Sequence, residues 1–221
     1  MKRKAIALCL LVAVAAIAIA GTSLAYFTDK DQADNVFVVG NVKIQLLENF
    51  EQNSKLLPAT GSVEDGTLQN AIVKEVDVKN TGTEPAYARV HIAVPAVLDA
   101  QPNPLLHFTY SEASLKHWSW EKTSGGLWNS YNTTIDGIVY HVYVVTYRQP
   151  LAPASVTEDH AIYQVFLDSR ATGDDVAELN EILGENWEIK VLAEGVQSAG
   201  FSDAFSALDT AFGVPGTYDA F

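Results

Sequence analysis

The sequence has 221 residues, of which 48% are hydrophobic and 19% are charged. This composition is typical of a globular protein with a buried core, and it excludes a disordered, collagen-like or coiled-coil chain. Acidic residues outnumber basic residues by 27 to 14, which argues against nucleic acid as a partner because nucleic-acid binding requires a basic surface. The single cysteine, Cys9, lies near the N-terminus, so the rest of the chain has no disulfide and no thiolate site.

The first 25 residues have the layout of a secretory signal peptide. A basic cap at residues 1–4 precedes an uninterrupted apolar run, and the small residues Ser23 and Ala25 follow it. We predict cleavage between Ala25 and Tyr26, which leaves a secreted protein that is not attached to the membrane. The alternative is an uncleaved anchor, because the apolar run is just long enough to span a bilayer.

The mature sequence, residues 26–221, reads as short β-type segments separated by Gly, Pro, Asn and Asp. In the segment 72–79 one alternating set of side chains is mostly charged, as expected for a strand with one face in the core and the other in water. Strands are predicted over 36–46, 72–79, 86–94, 138–147, 161–167 and 187–192. No helices alternate with these segments, so the pattern predicts a single all-β domain, an antiparallel β-sandwich or jelly roll.

Two short helices are predicted in the C-terminal part of the domain. The first covers 174–183, where apolar residues recur at helical spacing and Gly184 follows as a stop. The second covers 202–212, with Ser202 as its N-cap and Gly213 behind it.

Several short segments, in the same order along the chain, carry a family resemblance. They are AYFTD at 25–29, NVFVVGNVKIQL at 35–46, NTG at 80–82 before AYARV at 86–90, DG at 136–137, PLAP at 150–153 and EGVQSAGF at 194–201. The set resembles the TasA/camelysin group of exported proteins of Gram-positive bacteria, which depend on the alternative signal peptidase SipW. The match is closest to the BsaA-like biofilm-matrix branch. One departure is that the usual Pro-Gly turn after the first strand stands here as LPATG at 57–61.

The resemblance implies a secreted subunit of a biofilm-matrix or surface fibre, located in the extracellular matrix or at the cell surface. In that group the mature N-terminal segment of one subunit adds a strand to the next, and the corresponding segment here is 26–39. The side chains that it would place in pockets are Tyr26, Phe27, Phe37 and Val39. The implied partners are further copies of the chain or matrix co-subunits, with the alternative signal peptidase acting during export. The alternative is that 36–46 is simply the first strand of its own subunit.

An enzymatic alternative follows from the same resemblance, because camelysin is described as a peptidase. The five histidines are scattered, and none belongs to the H-E-x-x-H helix that places two zinc ligands on one face. The sequence also has no G-x-S-x-G nucleophile elbow and no thiol outside the leader. We therefore expect a non-enzymatic protein without a cofactor or metal, with a camelysin-like surface metallopeptidase as the alternative.

A third interpretation rests on aromatic residues. On a strand, Trp118 and Trp120 share a face that could stack against the sugar rings of a polysaccharide. This pattern suggests a monomeric cell-surface glycan-binding module. The alternative for the two indoles is that they pack into the sandwich.

Overall fold

The computed structural model describes residues 41–51, 54–100, 102–122, 128–184 and 187–221. The nine strands formed by these residues lie in two antiparallel sheets that pack face to face. The all-β sandwich predicted from the strand pattern is therefore confirmed.

The sheets have four and five strands. In chain order the strands are β1 (Ile44–Phe50), β2 (Ile72–Asn80), β3 (Ala86–Pro95), β4 (Leu106–Thr109), β5 (Trp118–Ser119), β6 (Ser130–Ile135), β7 (Ile138–Tyr147), β8 (Gln164–Leu167) and β9 (Lys190–Gln197). The four-stranded sheet has the order β1-β2-β8-β4, and the five-stranded sheet has the order β5-β7-β3-β9 with β6 beside β7. The helices are α1 (Glu112–His117), α2 (Gly173–Leu183) and α3 (Ala204–Phe212), and a 3-10 helix covers Ala96–Asp99.

The main core fills the space between the two sheets. In β2 the side chains of Val76 and Val78 face this core, while Val73, Glu75 and Asp77 lie on the outer face, as the alternation predicts. The opposing sheet contributes apolar side chains from β3, β5 and β7. Because side chains alternate between the two faces of a strand, this register fixes which residues of β2 meet water.

Strand β3 is buried on both faces, although half of its side chains point away from the main core. At one end of β3, Ala204, Ala207 and Leu208 of α3 pack against Tyr87 on the outer face. At the other end, Tyr131 and Phe221 pack against the cluster that contains Ala93. The outer face of β3 is therefore covered partly by α3 and partly by β6 and the C-terminal residue.

The two-residue turn between β6 and β7 shows why Asp136-Gly137 suits this position. Asp136 has φ 52° and Gly137 has φ 84°, and the flanking residues Ile135 and Ile138 are paired. Two consecutive positive φ values define the hairpin turn whose twist matches that of the strands, and Asp-Gly is a preferred sequence for it.

Helix boundaries differ little from those predicted, with one correction at a cap. Helix α2 begins with a capping box in which Thr172 and Asp175 bond reciprocally, and Gly184 ends it with φ 77°. Helix α3 is capped by Asp203 rather than by the predicted Ser202, because the Asp203 carboxylate accepts a hydrogen bond of 2.9 Å from the backbone N–H of Ser206.

Three strands are shifted or shortened relative to the prediction. Of the strand predicted over 36–46, residues 36–40 lie outside the described residues and 44–46 belong to β1, which continues to Phe50 because its pairing with β2 extends that far. The strand predicted over 187–192 is β9, which runs to Gln197 because β3 pairs with it along its length. Of the strand predicted over 161–167, only 164–167 form a regular strand, which is β8. Before it, the backbone N–H of Ala161 still donates a hydrogen bond of 2.9 Å to the carbonyl of Val76 in β2.

Among the described residues, no helix is both long enough and apolar enough to cross a membrane. The described residues all fall within one compact unit.

Candidate functional site

One side of the sandwich ends in two strands that are each paired on one side only. Strand β1 pairs with β2 and strand β9 pairs with β3, and in the described part of the chain neither has a second partner. An edge strand of this kind presents unpaired N–H and C=O groups that another strand can bind.

The two edge strands face each other, and we call the strip between them the seam. Its inner lining consists of Ile44 and Leu46 from β1 and Val191 and Ala193 from β9. These apolar side chains pack against the main core but remain only partly buried. The core is therefore less well covered here than in the centre of the sandwich, where valines of β2 and β3 are fully buried.

The two edge strands lie close together where Gly195 faces Ile44. A Cβ atom placed on Gly195 of β9 would lie 2.6 Å from Cγ2 of Ile44 in β1. No ordinary carbon contact is this short, so the absence of a side chain at Gly195 allows the two edges to meet.

An ion pair lies nearer the opposite end of β1. Lys74 of β2 is only 4% exposed, and its Nζ lies 2.7 Å from Oε1 of Glu48 and 4.7 Å above the ring of Phe50. Register places these three residues on the inner face of the sheet. The pair ties the edge strand β1 to β2 and keeps a buried ammonium group satisfied.

A second buried polar cluster lies on the outer face of β3 and β9, under α3 and the C-terminal segment. The Arg89 side chain donates to Glu194 at 2.6 Å, to Asp209 at 2.7 Å, to the carbonyl of Gly213 at 3.0 Å and to the hydroxyl of Tyr218 at 2.8 Å. Because four acceptors surround one guanidinium group, the cluster fixes α3 and the following residues against the sheet.

These contacts shift the pKa values of the groups involved. Burial alone raises the pKa of Glu194, but hydrogen bonds with His91, Tyr218 and Arg89 outweigh it and lower the pKa to about 2. Burial, with a smaller effect from the charge of Glu194, raises the pKa of Tyr131 to about 12. The cluster therefore holds Glu194 as a carboxylate and the phenol of Tyr131 in its neutral form.

Each histidine lies beside a different carboxylate. The pairs are His91 with Glu194, His107 with Asp168, His117 with Glu158, His141 with Asp99 and His160 with Asp77. No two of these pairs share a residue. Across the described ranges, no group of three or more His, Cys, Asp or Glu side chains has the arrangement that could hold a metal ion.

The structure corrects the glycan face predicted at Trp118 and Trp120. Trp118 is fully buried and donates its indole N–H to the carbonyl of Asp159, while Trp120 is 5% exposed and packs among aromatic rings that include Tyr143. Both indoles belong to the main core, so neither offers a surface on which a sugar ring could stack.

The remaining predicted site residues lie outside the described residues. They are Ser23, Ala25, Tyr26, Phe27, Phe37 and Val39, together with the leader at 1–25 and the segment 26–39. Cleavage and strand donation therefore stay predictions.

Sequence reasoning missed the buried ion pairs. Arg89 and Glu194 each stand within an apolar strand sequence, AYARVHIAVP and VLAEGVQ, and a charge in such a run is the signal that could have found them. The seam was not predicted either, because it depends on which strands end the two sheets.

Comparison with known proteins gives this chain no family. No protein-family model matches it, and no curated protein matches it.

Proposed function

We propose that this chain is a non-enzymatic subunit of an extracellular matrix or surface fibre, assembled by β-strand addition. The observation that supports the proposal most directly is the seam, where two edge strands lie on either side of a partly covered apolar strip. A strand from a neighbouring subunit would pair with the free backbone groups of β1 or β9. Its apolar side chains would at the same time cover Ile44, Leu46, Val191 and Ala193.

The donor in this proposal is the segment 26–39 of a second copy of the chain. Its last residues alternate, with Phe37 and Val39 on one face and Val36 and Val38 on the other, so either face of the strand is apolar. Main-chain hydrogen bonds would give affinity and the inward side chains would give register.

Export and assembly are linked in this proposal. Removal of the leader by a SipW-type signal peptidase, after Ala25, would release the donor segment into the extracellular space of a Gram-positive cell. A donor segment held at the membrane cannot reach a neighbouring subunit, so cleavage would act as the assembly switch.

Cysteine crosslinking tests the donor and acceptor assignment, because the mature chain contains no thiol of its own. One subunit carries Phe37→Cys or Val38→Cys, which point to opposite faces of a strand, and another carries Ala193→Cys in the seam. Mixed under oxidising conditions, one donor variant should form a disulfide-linked dimer with the seam variant, because paired strands bring Cβ atoms within disulfide range.

In the matched control, the acceptor subunit carries Glu178→Cys, at an exposed site on α2, in place of Ala193→Cys. Crosslinking at Glu178 as efficient as at Ala193 would show unspecific contact and contradict the assignment. Both cysteines in one chain provide a further comparison, since a disulfide formed only within monomers would mean that the segment pairs with its own subunit.

A further inference from the structure

A cleft of about 380 Å³ lies on the outer face of the four-stranded sheet, on the opposite face from the core. Its lining includes two tyrosines, Tyr110 and Tyr163, and the polar side chains of Glu75, Thr109 and Gln164. Glu75 lies on β2, Gln164 on β8 and Thr109 on β4, and Tyr110 directly follows β4. Strand addition at the edges of the sandwich would leave this face open.

Both tyrosine rings are in contact with other rings. Tyr110 is 40% exposed, and its ring centroid lies 5.6 Å from that of the buried Trp120. The ring of Tyr163 lies edge to face with His160 at 4.7 Å. Aromatic rings held in this way keep a fixed orientation, which is what stacking against the apolar face of a sugar requires.

The acidic side chain that lines the cleft is Glu75, whose Oε2 accepts a hydrogen bond of 2.8 Å from Nδ2 of Asn49. Glu75 and Asp77 point to the same face of β2, and the imidazole of His160 stands between them, with its Nδ1 2.6 Å from Asp77 Oδ2 and its Nε2 3.7 Å from Glu75 Oε1. Burial raises the pKa of Asp77 against the effect of His160, and the nearby charge of Glu75 adds to the rise. No lysine or arginine lines the cleft in the described residues, so a positively charged ligand is favoured over an anionic one.

We propose that this cleft binds amino-sugar units of a cationic polysaccharide. The rings of Tyr110 and Tyr163 contact the apolar face of the sugar, and the carboxylate of Glu75 accepts hydrogen bonds from its ammonium group. Gln164 contacts the sugar hydroxyl groups. The subunit would then attach to matrix polysaccharide independently of its assembly into fibres.

Calorimetric titration of the mature protein tests this proposal with three probes at a mildly acidic pH. The probes are a glucosamine hexamer, an N-acetylglucosamine hexamer and a lysine hexamer. We expect the glucosamine hexamer to bind most tightly, because only it combines the sugar face with positive charge. Binding of the lysine hexamer or the neutral hexamer with equal affinity would overturn the proposal.

Substitutions locate the site. Tyr110→Ala should weaken glucosamine-hexamer binding about three- to tenfold, and Tyr110→Phe should retain it because the ring remains. Glu75→Gln should weaken binding about tenfold or more. Glu64→Gln removes the same charge from an exposed turn and should have no effect. If Tyr110→Ala and Glu75→Gln remain folded by circular dichroism and bind as well as the unchanged protein, the cleft is not the site.

Discussion

Arg89 lies in the middle of a strand that is otherwise apolar or aromatic, and it is almost completely buried. A buried guanidinium is tolerated only when its donors are satisfied, and here Glu194, Asp209, Gly213 and Tyr218 satisfy them. Removing one partner would leave an uncompensated buried charge. At the scale of single residues, the position of α3 therefore depends on the acceptors that surround Arg89.

The lowered pKa of Glu194 predicts how stability depends on pH. The pKa falls from 4.5 to about 2 on folding, so the stabilisation is present above about pH 4.5 and is lost as the pH falls towards about 2. The shift corresponds to a contribution on the order of 3 kcal/mol. Glu194→Gln should lower the free energy of unfolding at neutral pH and flatten its decline in acid, as measured by urea unfolding at a series of pH values.

The control for this prediction is Glu64→Gln, which removes an exposed carboxylate and should leave the acid decline unchanged. An equally steep decline in the Glu194→Gln variant would mean that other groups cause the acid sensitivity.

Close contact at the seam gives a second prediction at the residue scale. Gly195→Ala should destabilise the protein by about 1–3 kcal/mol, because the added methyl group meets Ile44. Gly173→Ala, whose added Cβ has open space, serves as control and should be neutral or slightly stabilising. Thermal unfolding checks both variants, and a destabilised Gly173→Ala beside an unaffected Gly195→Ala would contradict the packing described.

At the scale of elements, the alternating pattern is sufficient to predict strands where both faces have distinct environments. The boundaries of β7 agree with the prediction and those of β2 and β3 lie within one residue of it, because apolar and polar side chains alternate or the run is bounded by turn residues. β4, β5 and β6 were missed since they are short or polar, and tertiary pairing rather than local pattern defines them.

The candidate site was less predictable than the fold. The spacing of Trp118 and Trp120 in the sequence does not reveal that Phe108 of β4 and Tyr143 of β7 pack against the indole of Trp120. Likewise, the cleft joins β2, β4 and β8, which are distant in the sequence. Such contacts depend on sheet order, which a period-two pattern does not contain.

The cap of α3 gives a prediction at the element scale. Asp203→Ala should lower the free energy of unfolding by about 1 kcal/mol, because the backbone N–H of Ser206 loses its acceptor. Ser202→Ala, at the neighbouring position that the sequence suggested as the cap, should have little effect. Chemical unfolding of the two variants separates these assignments, and a larger loss for Ser202→Ala would reverse them.

At the scale of the whole molecule, the two sides of the sandwich differ. Both sides end in edge strands, but one side is filled by contacts among Phe108, Trp120 and Tyr143, whereas the seam is lined by partly buried aliphatic side chains. Isolated edges of this kind promote association, and natural proteins usually protect them. In the proposed fibre, the protection would come from the next subunit.

The central claim is tested most directly by negative-stain microscopy and size-exclusion chromatography of the secreted protein that begins at Tyr26. A version that lacks residues 26–39, and with them the whole donor segment, is measured beside it. We predict filaments from the first and folded monomers from the second, because only the first retains the full donor segment. Filaments of equal yield from both versions, or monomers from both, would contradict assembly by N-terminal strand addition.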